Sequence, residues 1–365
     1  RRPAAGRTAV GHAAGRHGQL TGRSRVTAAT AEPKPVFAVL GSGSWGTALA
    51  VHIARTGHRT ILWGIETDEL VAMTRDRVNS RYLPGVTLPD RVEIEHDFAR
   101  AIAEADQLLI VVPSHAFREV LQRIKPLLRR DQRVAWATKG FELASGKLPH
   151  EVASEVLGPA VPTAVLSGPT FAKEVGAGLP SAMTVASRDE AYAMSLARSL
   201  SSDNFRVYAS GDMIGVEVGG ATKNVLAIGA GISDGLGFGA NTRVALITRG
   251  LVELTRLGVA LGADKETFMG LAGLGDLVLT CTDDQSRNRR FGLALASGKT
   301  PEQAQAEIGQ VVEGVLAARA VRDVAKRVGV EMPISEQIYR VLYEGAPARD
   351  AVIALMGRSV KSETA

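Results

Sequence analysis

The sequence predicts an α/β fold: a mostly parallel sheet in the N-terminal part, followed by an all-α C-terminal part. Short apolar runs alternate with helical patterns of about 10–15 residues in the first half of the chain, as in βαβ units. A Gly-x-Gly-x-x-Gly motif directly follows the first apolar run. Beyond about residue 211, long Ala- and Leu-rich patterns replace the Val- and Ile-rich runs. These observations place a sheet first and a helical region second.

The elements follow from the local patterns in chain order. Residues 36–40 form a continuous apolar run that predicts a buried strand. A glycine-rich turn follows, and then an Ala- and Leu-rich helical pattern runs to about residue 56, with Gly57 as its stop. Further strands are predicted at 59–63, 91–95, 107–112 and 133–137, and weaker ones at 163–167, 181–186 and 205–208. Helices between the early strands are predicted at 66–78, 97–104 and 115–129. The later helical patterns lie at 213–232, 241–261, 264–271, 287–297, 301–308, 313–328 and 334–343.

The net charge of the chain lies in its first 33 residues. They contain six arginines and one acidic residue, a balance that equals the formal charge of +5 of all 365 residues. The rest of the chain is therefore neutral, and we expect no nucleic-acid partner. The tail is Arg-rich and acid-poor, as in organelle transit peptides, but its Gly and Ala content favours a disordered extension.

Composition excludes several other classes of protein. The single cysteine, Cys281, excludes an intramolecular disulfide and a cysteine-based zinc cluster. No run of about 18 apolar residues is present, which argues against a transmembrane helix. The tail lacks an apolar signal core. We therefore expect a cytoplasmic protein without a metal site and without membrane insertion.

The motif Gly41-Ser-Gly-Ser-Trp-Gly46 lies between a predicted strand and a predicted helix. In a dinucleotide-binding turn, Gly41 would permit the tight turn, Gly43 the approach of a pyrophosphate, and Gly46 close packing of helix on strand. The alternative is a glycine-rich turn without a ligand, but strand, motif and helix together favour binding. An acid after the second strand would favour NAD; Glu66 lies beyond that strand's end and does not decide between NAD and NADP.

A lysine lies in a glycine-rich helical pattern in the second half. Residues 215–239 contain eight glycines, each costing about 1 kcal/mol in a helix relative to Ala, which indicates close approach to another group. Lys223 shares a helix face with Gly219, and it could exchange a proton with a substrate hydroxyl if desolvation lowers its pKa. A lysine at the solvent edge, with glycines serving helix packing, is equally consistent with the spacing. Lys139 follows the strand at 133–137, at the ligand-binding edge of the sheet.

A dense polar patch lies between residues 274 and 291. Ser286, Arg287 and Asn288 offer a hydroxyl, a guanidinium and an amide, which suit a phosphate or polyol ligand. Taken alone, the patch is better explained as a solvated loop with ordinary Asp–Arg pairs. Cys281 is interpreted as a packed thiol, and His115 as a helix-start residue rather than a base.

Eight motifs occur in order between residue 36 and about residue 345. They are GSGSWGTALA (41–50), RYLPG (81–85), VVPSHAFR (111–118), TKGFE (138–142), LSGPTFAKEV (166–175), GGATKNVLAIGAGI (219–232), GLGDLVLTCTDDQSRNRRFG (273–292) and GQVVEG (309–314). In this order they resemble the bacterial-type NAD(P)-dependent glycerol-3-phosphate dehydrogenases. The resemblance implies reversible hydride transfer between NAD(P)H and dihydroxyacetone phosphate, giving sn-glycerol 3-phosphate for phospholipid synthesis. It also implies a homodimer.

The resemblance also assigns roles to matching positions. Lys223 would be the catalytic proton acceptor or donor. Substrate-binding positions would be Lys139, Gly168, Thr170, Lys223, Asp276, Ser286, Arg287 and Asn288. Positions contacting NAD or NADP would be Gly41, Gly43, Ser44, Trp45, Gly46, Lys139, Ala172, Arg287, Val311 and Glu313. One departure concerns the cofactor: Ile65 stands where the family often carries Arg, so NADP preference is open.

The expected organisation is a disordered basic tail at 1–33, a NAD(P)-binding Rossmann domain at 34–211 and a helical substrate and catalytic domain at 212–365. Two alternative functions remain at this stage. A β-hydroxyacid dehydrogenase of similar architecture could use Arg287 to bind a carboxylate. A non-catalytic NAD(P)-binding sensor would bind the cofactor without turnover, although the presence of Lys139, Lys223 and Asp276 disfavours it.

Overall fold

An eight-stranded sheet organises the first part of the chain. The computed structural model describes residues 34–357, so the predicted disordered tail at 1–33 lies outside the described residues. The strands are β1 (Phe37–Leu40), β2 (Thr60–Trp63), β3 (Val92–Ile94), β4 (Gln107–Ile110), β5 (Arg133–Trp136), β6 (Thr163–Ser167), β7 (Ser181–Ala186) and β8 (Phe205–Ser210). Their order is β3-β2-β1-β4-β5-β6-β7-β8, and every pair is parallel except β6–β7. The predicted mostly parallel sheet is confirmed.

The central strands are buried because helices cover both faces of the sheet. All four residues of β1 are at most 1% exposed, as expected for a strand whose sequence is a continuous apolar run. The covering helices are α1 (Ser44–Arg55), α2 (Thr67–Asp76), α3 (Phe98–Ala103), α4 (Ser114–Ile124), α5 (Pro149–Leu157), α6 (Ala172–Ala177) and α7 (Glu190–Leu200). The order of the strands reverses direction between β1 and β4, which opens a crevice at their carboxyl ends, where open α/β sheets bind ligands.

The chain from residue 213 onward is helical, as predicted. The helices are α8 (Met213–Gly235), α9 (Gly239–Ala260), α10 (Asp276–Thr282), α11 (Arg287–Ala296), α12 (Pro301–Ile308), α13 (Glu313–Arg327), α14 (Pro333–Tyr343) and α15 (Ala348–Met356). Of the 23 residues of α8, 20 are buried, because α9, α10, α11 and α13 pack around it. Helix α8 is the central helix of this region.

Two features of the helical region differ from the sequence prediction. The single helix expected at 264–271 is instead a 3-10 turn, Lys265–Met269, followed by a π-type turn, Leu271–Gly275. The interruption falls at Gly270, whose backbone is extended, so a continuous helix cannot pass through it. Helix α10 and helix α15, the latter at the end of the described chain, were not predicted.

Close backbone contact joins α8 to α11. A Cβ atom on Gly231 would lie 2.0 Å from the carbonyl oxygen of Arg289, and one on Gly292 would lie 2.1 Å from that of Ile228. Only glycine permits these approaches, so the glycines of α8 serve helix packing here. From Lys34 onward the chain forms one compact unit, and the division into two domains at residue 211 stays a prediction.

None of the helices within residues 34–357 combines the length and apolar character that crossing a membrane requires.

The α8–α11 contact predicts a specific loss of stability. Gly231→Ala should lower the free energy of unfolding by about 1–3 kcal/mol, because the added methyl group overlaps backbone atoms that cannot move independently. Gly211→Ala is the matched control, since a Cβ there meets no atom within 4 Å. It should change stability by no more than about 0.5 kcal/mol. Urea denaturation measures both variants, and equal midpoints would refute the role assigned to Gly231.

Candidate active site

Two lysines converge on one buried carboxylate where the sheet meets the helical region. Asp276, the first residue of α10, is 1% exposed, and Lys223 in α8 is 7% exposed. Lys139, just beyond β5, donates from Nζ to Asp276 Oδ2 at 2.8 Å, and Lys223 Nζ donates to Asp276 Oδ1. Lys223 Nζ also donates to Thr280 Oγ1 at 3.0 Å. Residues distant in sequence are thus joined into one charged cluster, the Lys139–Asp276–Lys223 cluster.

The environment tunes the charges of this cluster. Burial lowers the pKa of Lys223 to about 8, an effect that Asp276 opposes and Lys139 reinforces. Burial alone would raise the pKa of Asp276, but the two ammonium groups outweigh it and hold that pKa below its ordinary value. The carboxylate therefore stays ionised, while Lys223 can hold or release a proton close to neutral pH. With both lysines protonated, the cluster carries one net positive charge, which suits an anionic ligand.

Two adjacent glycines of α8 make this arrangement possible. A Cβ on Gly219 would lie 2.3 Å from the carbonyl oxygen of Ala272, in the turn that leads into Asp276. A Cβ on Gly220 would lie 3.4 Å from the Cγ and Cδ atoms of Lys139. The glycines therefore serve close packing, and that packing brings both partners to Lys223. Lys223 is a buried residue, and the solvent-edge alternative is wrong.

Thr280 belongs to the cluster, although the sequence analysis did not single it out. Its hydroxyl donates to the carbonyl oxygen of Asp276 at 2.6 Å and accepts from Lys223. Asp276 and Thr280 are four residues apart, so they share a face of α10. That i, i+4 spacing was the available signal, but it becomes informative only once α10 is known to be a helix.

The polar patch at 286–288 lies beside Lys223 rather than in a solvated loop. Ser286 is 4% exposed, and its hydroxyl caps α11 by accepting from the backbone N–H of Arg289 at 3.2 Å. Asn288 Nδ2 donates to Oδ1 of Asn224, the neighbour of Lys223, at 2.9 Å. The half-buried Arg287 donates from Nη1 to Gln310 Oε1 at 3.3 Å. All three side chains make internal hydrogen bonds, but Arg287 is the one cation among them and the least buried, so it is the best placed of the three to bind an anion.

The glycine motif has the shape that a pyrophosphate requires. Gly41 has φ +126°, and a Cβ there would lie 2.2 Å from the carbonyl oxygen of Val111. A Cβ on Gly46 would lie 1.8 Å from the carbonyl oxygen of Gly41, whereas one on Gly43 meets no atom within 4 Å. No side chain caps the start of α1, so its first N–H groups remain available to an anion. The open position at Gly43 and the uncapped helix fit a dinucleotide.

Some of the other predicted positions border a cavity, whereas the rest lie just after a strand or at the start of a helix. A cavity beside the Lys139–Asp276–Lys223 cluster is bordered by Lys139, Asn224, Val311 and Glu313. Gly168 and Thr170 follow β6, with the Thr170 hydroxyl donating to the carbonyl oxygen of Gly168 at 3.3 Å. The remaining positions are Ala172, which begins α6, and Ser44 and Trp45, which begin α1.

Cys281 and His115 have the surroundings that their sequence interpretation implies. Burial raises the pKa of the Cys281 thiol to about 12, so it is a packed thiol without thiolate character. His115 is the second residue of α4 and is exposed. Within residues 34–357, no group of three or more His, Cys, Asp and Glu side chains is arranged to hold a metal ion.

The fold and the site together define a class of protein. They are typical of the NAD(P)-dependent dehydrogenases that combine a Rossmann-type sheet, with its dinucleotide-binding turn, and a helical region that contributes a buried lysine. Family models narrow the class. The model described as NAD-dependent glycerol-3-phosphate dehydrogenase N-terminus matches residues 36–193, and the corresponding C-terminus model matches residues 212–353. The chain belongs to the NAD-dependent glycerol-3-phosphate dehydrogenase family, and the resemblance seen in the motifs is confirmed.

Individual relatives agree with this assignment. The chain is 57% identical to a glycerol-3-phosphate dehydrogenase (NAD(P)+) of Escherichia coli over 326 residues, which cover 89% of this chain and 96% of that protein. A crystal structure of glycerol-3-phosphate dehydrogenase from Coxiella burnetii matches with a TM-score of 0.86 and 48% identity, covering 89% of this chain and 99% of that one. The yeast Saccharomyces cerevisiae enzyme matches at 0.76 and 27%, covering 88% and 98%.

The shared carboxylate predicts a large effect of its neutralisation. Asp276→Asn should lower the free energy of unfolding by about 3–5 kcal/mol at pH 7, because the buried Lys223 and the partly buried Lys139 lose their counter-charge. The loss should shrink at pH 9, where Lys223 releases its proton. Asp283→Asn, a change of the same kind at a half-buried position seven residues away, is the control and should have little effect. Urea denaturation at both pH values measures this, and equal stability of the two variants at pH 7 would contradict the account.

Proposed function

We propose that this chain interconverts dihydroxyacetone phosphate and sn-glycerol 3-phosphate with NAD(H) or NADP(H). The observation that carries the proposal is the Lys139–Asp276–Lys223 cluster, in which the buried Lys223 and a second lysine share one carboxylate and leave one net positive charge. Membership of the glycerol-3-phosphate dehydrogenase family and the names of the relatives support it. The product, sn-glycerol 3-phosphate, would serve phospholipid synthesis.

Lys223 is the proposed catalytic residue. A bound nicotinamide supplies hydride to the C2 carbonyl during reduction and accepts it during oxidation. Lys223 gives its proton to the C2 oxygen during reduction and takes it back during oxidation. Its lowered pKa suits both directions, because each protonation state is accessible near neutral pH. Asp276 and Thr280 fix the position of Nζ by accepting its hydrogen bonds.

The phosphate of the substrate needs a cation outside the cluster. Arg287 is half-buried at the start of α11, and its planar guanidinium can bind a phosphate through two hydrogen bonds, which lysine cannot. Lys139, Ser286 and Asn288 would complete the polar surroundings of the substrate. Gly168 and Thr170, beyond β6, are proposed to border it.

The dinucleotide is proposed to bind across the carboxyl edge of the sheet. The backbone N–H groups at the start of α1 would hold its pyrophosphate, since Gly43 leaves that space open. The proposed contacts are Gly41, Gly43, Ser44, Trp45, Gly46, Lys139, Ala172, Arg287, Val311 and Glu313. Val311 and Glu313 border the cavity next to Lys139, which supports a position near the reacting end of the cofactor.

Membership of the family supports three further proposals, which concern the domain boundary, the cellular location and the oligomeric state. We propose a boundary between a NAD(P)-binding domain (34–211) and a substrate domain (212–365), because the C-terminal family model begins at residue 212. A cytoplasmic location and a homodimer are proposed from the same relationship. Solved structures of D-mandelate dehydrogenase match at 16% identity and a TM-score of 0.58, a likeness that shows the fold alone and gives the hydroxyacid alternative no support.

Turnover and one substitution test the proposed function. The chain should oxidise NADH or NADPH, followed at 340 nm, when dihydroxyacetone phosphate is added. Lys223→Ala should lower kcat by about 10²–10⁴-fold, because the proton donor is lost, while the Kd for the cofactor stays within twofold. Lys299→Ala, which removes an exposed lysine of α11's C-terminal loop, is the control and should retain wild-type kcat.

Two outcomes would contradict the proposal. Wild-type turnover by the Lys223→Ala variant would show that Lys223 is not the catalytic residue. Cofactor binding by the wild-type chain without turnover of dihydroxyacetone phosphate would instead support a non-catalytic sensor.

A further inference from the structure

The chain leaving β2 lies directly against the dinucleotide turn. A Cβ on Gly64 would lie 2.0 Å from Oγ of Ser42, which is inside the turn. In Rossmann folds, the residues after the second strand recognise the ribose of the adenosine half. An acidic residue there binds the 2′-hydroxyl of NAD, whereas a cation accommodates the 2′-phosphate of NADP. The side chains at 65 and 66 therefore bear on which cofactor binds.

These positions carry negative charge and no cation. Ile65 is 73% exposed and offers only an apolar side chain. Glu66 is half-buried, and its Oε1 accepts a hydrogen bond from the Tyr82 hydroxyl at 3.2 Å. The carbonyl oxygen of Tyr82 in turn accepts from the Ser44 hydroxyl at 2.6 Å. The Glu66 carboxylate is thus tied, through Tyr82, to the start of α1.

The nearby cations are already engaged. Arg81 lies 3.3 Å from Glu69 and packs over the Tyr82 ring, 5.2 Å from its centroid. Arg123 packs over the rings of Trp63 and Phe98. Asp68 and Glu69, in the first turn of α2, add two further acidic side chains beside Glu66. The six residues that follow β2 thus include three acidic residues and no cation.

We infer that this chain selects NAD(H) over NADP(H), and that Glu66, oriented by Tyr82, is the residue that determines this specificity. The carboxylate can accept a hydrogen bond from a 2′-hydroxyl, but it repels a 2′-phosphate carrying up to two negative charges. The inference rests on the proposed function, because it concerns the cofactor of the same site. It goes beyond the proposed function, because that function leaves the choice of cofactor open and the Escherichia coli relative is named for both NAD and NADP.

Binding measurements test the selectivity apart from catalysis. The Kd values of NADH and NADPH are measured by calorimetry on the full chain at low and high salt. At low salt, NADH should bind at least 10-fold more tightly than NADPH. The ratio of the Kd of NADPH to the Kd of NADH should fall at high salt, because screening weakens the repulsion of the 2′-phosphate. Glu66→Gln should lower this ratio of Kd values at least fivefold. Ile65→Arg should lower it further, because the arginine attracts the 2′-phosphate. Glu302→Gln, on α12, makes the same charge change and should leave the ratio unchanged.

The outcomes separate this inference from the proposed function. Equal or tighter binding of NADPH by the wild-type chain would overturn the inference, as would an unchanged ratio in Glu66→Gln. Turnover of dihydroxyacetone phosphate with both cofactors at similar kcat/KM would uphold the function and refute the selectivity. Failure to bind either cofactor would refute both.

Discussion

The carboxylate of Asp276 is the interaction on which the site depends. A carboxylate that is 1% exposed remains ionised only because Lys139 and Lys223 each donate to one of its oxygens. The dependence is mutual, because the two ammonium groups would repel each other without the anion between them. Lys139 comes from the edge of the sheet, whereas the other two residues come from the helical region. The cluster therefore joins the two parts of the chain at the place where chemistry is proposed.

Packing of α8 makes that junction possible. Glycine weakens a helix by about 1 kcal/mol per residue relative to Ala, so a glycine-rich helix must gain stability from its contacts. At Gly219 and Gly220 the gain is the close approach of the turn before Asp276 and of the Lys139 side chain. At Gly231 it is direct contact with the backbone of α11, the helix that carries Arg287. The same residues that stabilise the helical region thus place the polar groups of the site.

Local features of the site could be predicted from sequence, whereas contacts between distant residues could not. The turn at Gly41–Gly46 was predicted because strand, glycines and helix are contiguous, and Lys139 because it follows a strand. The pairing of Lys223 with Asp276 spans 53 residues and depends on tertiary packing, so helical spacing left Lys223 undecided. The backbone conformation of the segment after Gly270 could not be predicted either, because the glycines there permit several conformations. The family resemblance, which rests on the order of several motifs along the chain, predicted the site residues better than the spacing of residues in any one element.

Burial lowers the pKa of Lys223 to about 8, so that the proposed proton transfer can run near neutral pH. The pH dependence of kcat/KM, measured in both directions above pH 7, tests it most directly, because this quantity reports the ionisation of the free enzyme. In the proposed mechanism, reduction needs protonated Lys223, so the kcat/KM for reduction should fall as pH rises through about 8. Oxidation would need the neutral amine, so the kcat/KM for oxidation should rise over the same range. Profiles that change in the same direction, or that show no inflection between pH 7 and 9.5, would contradict the account.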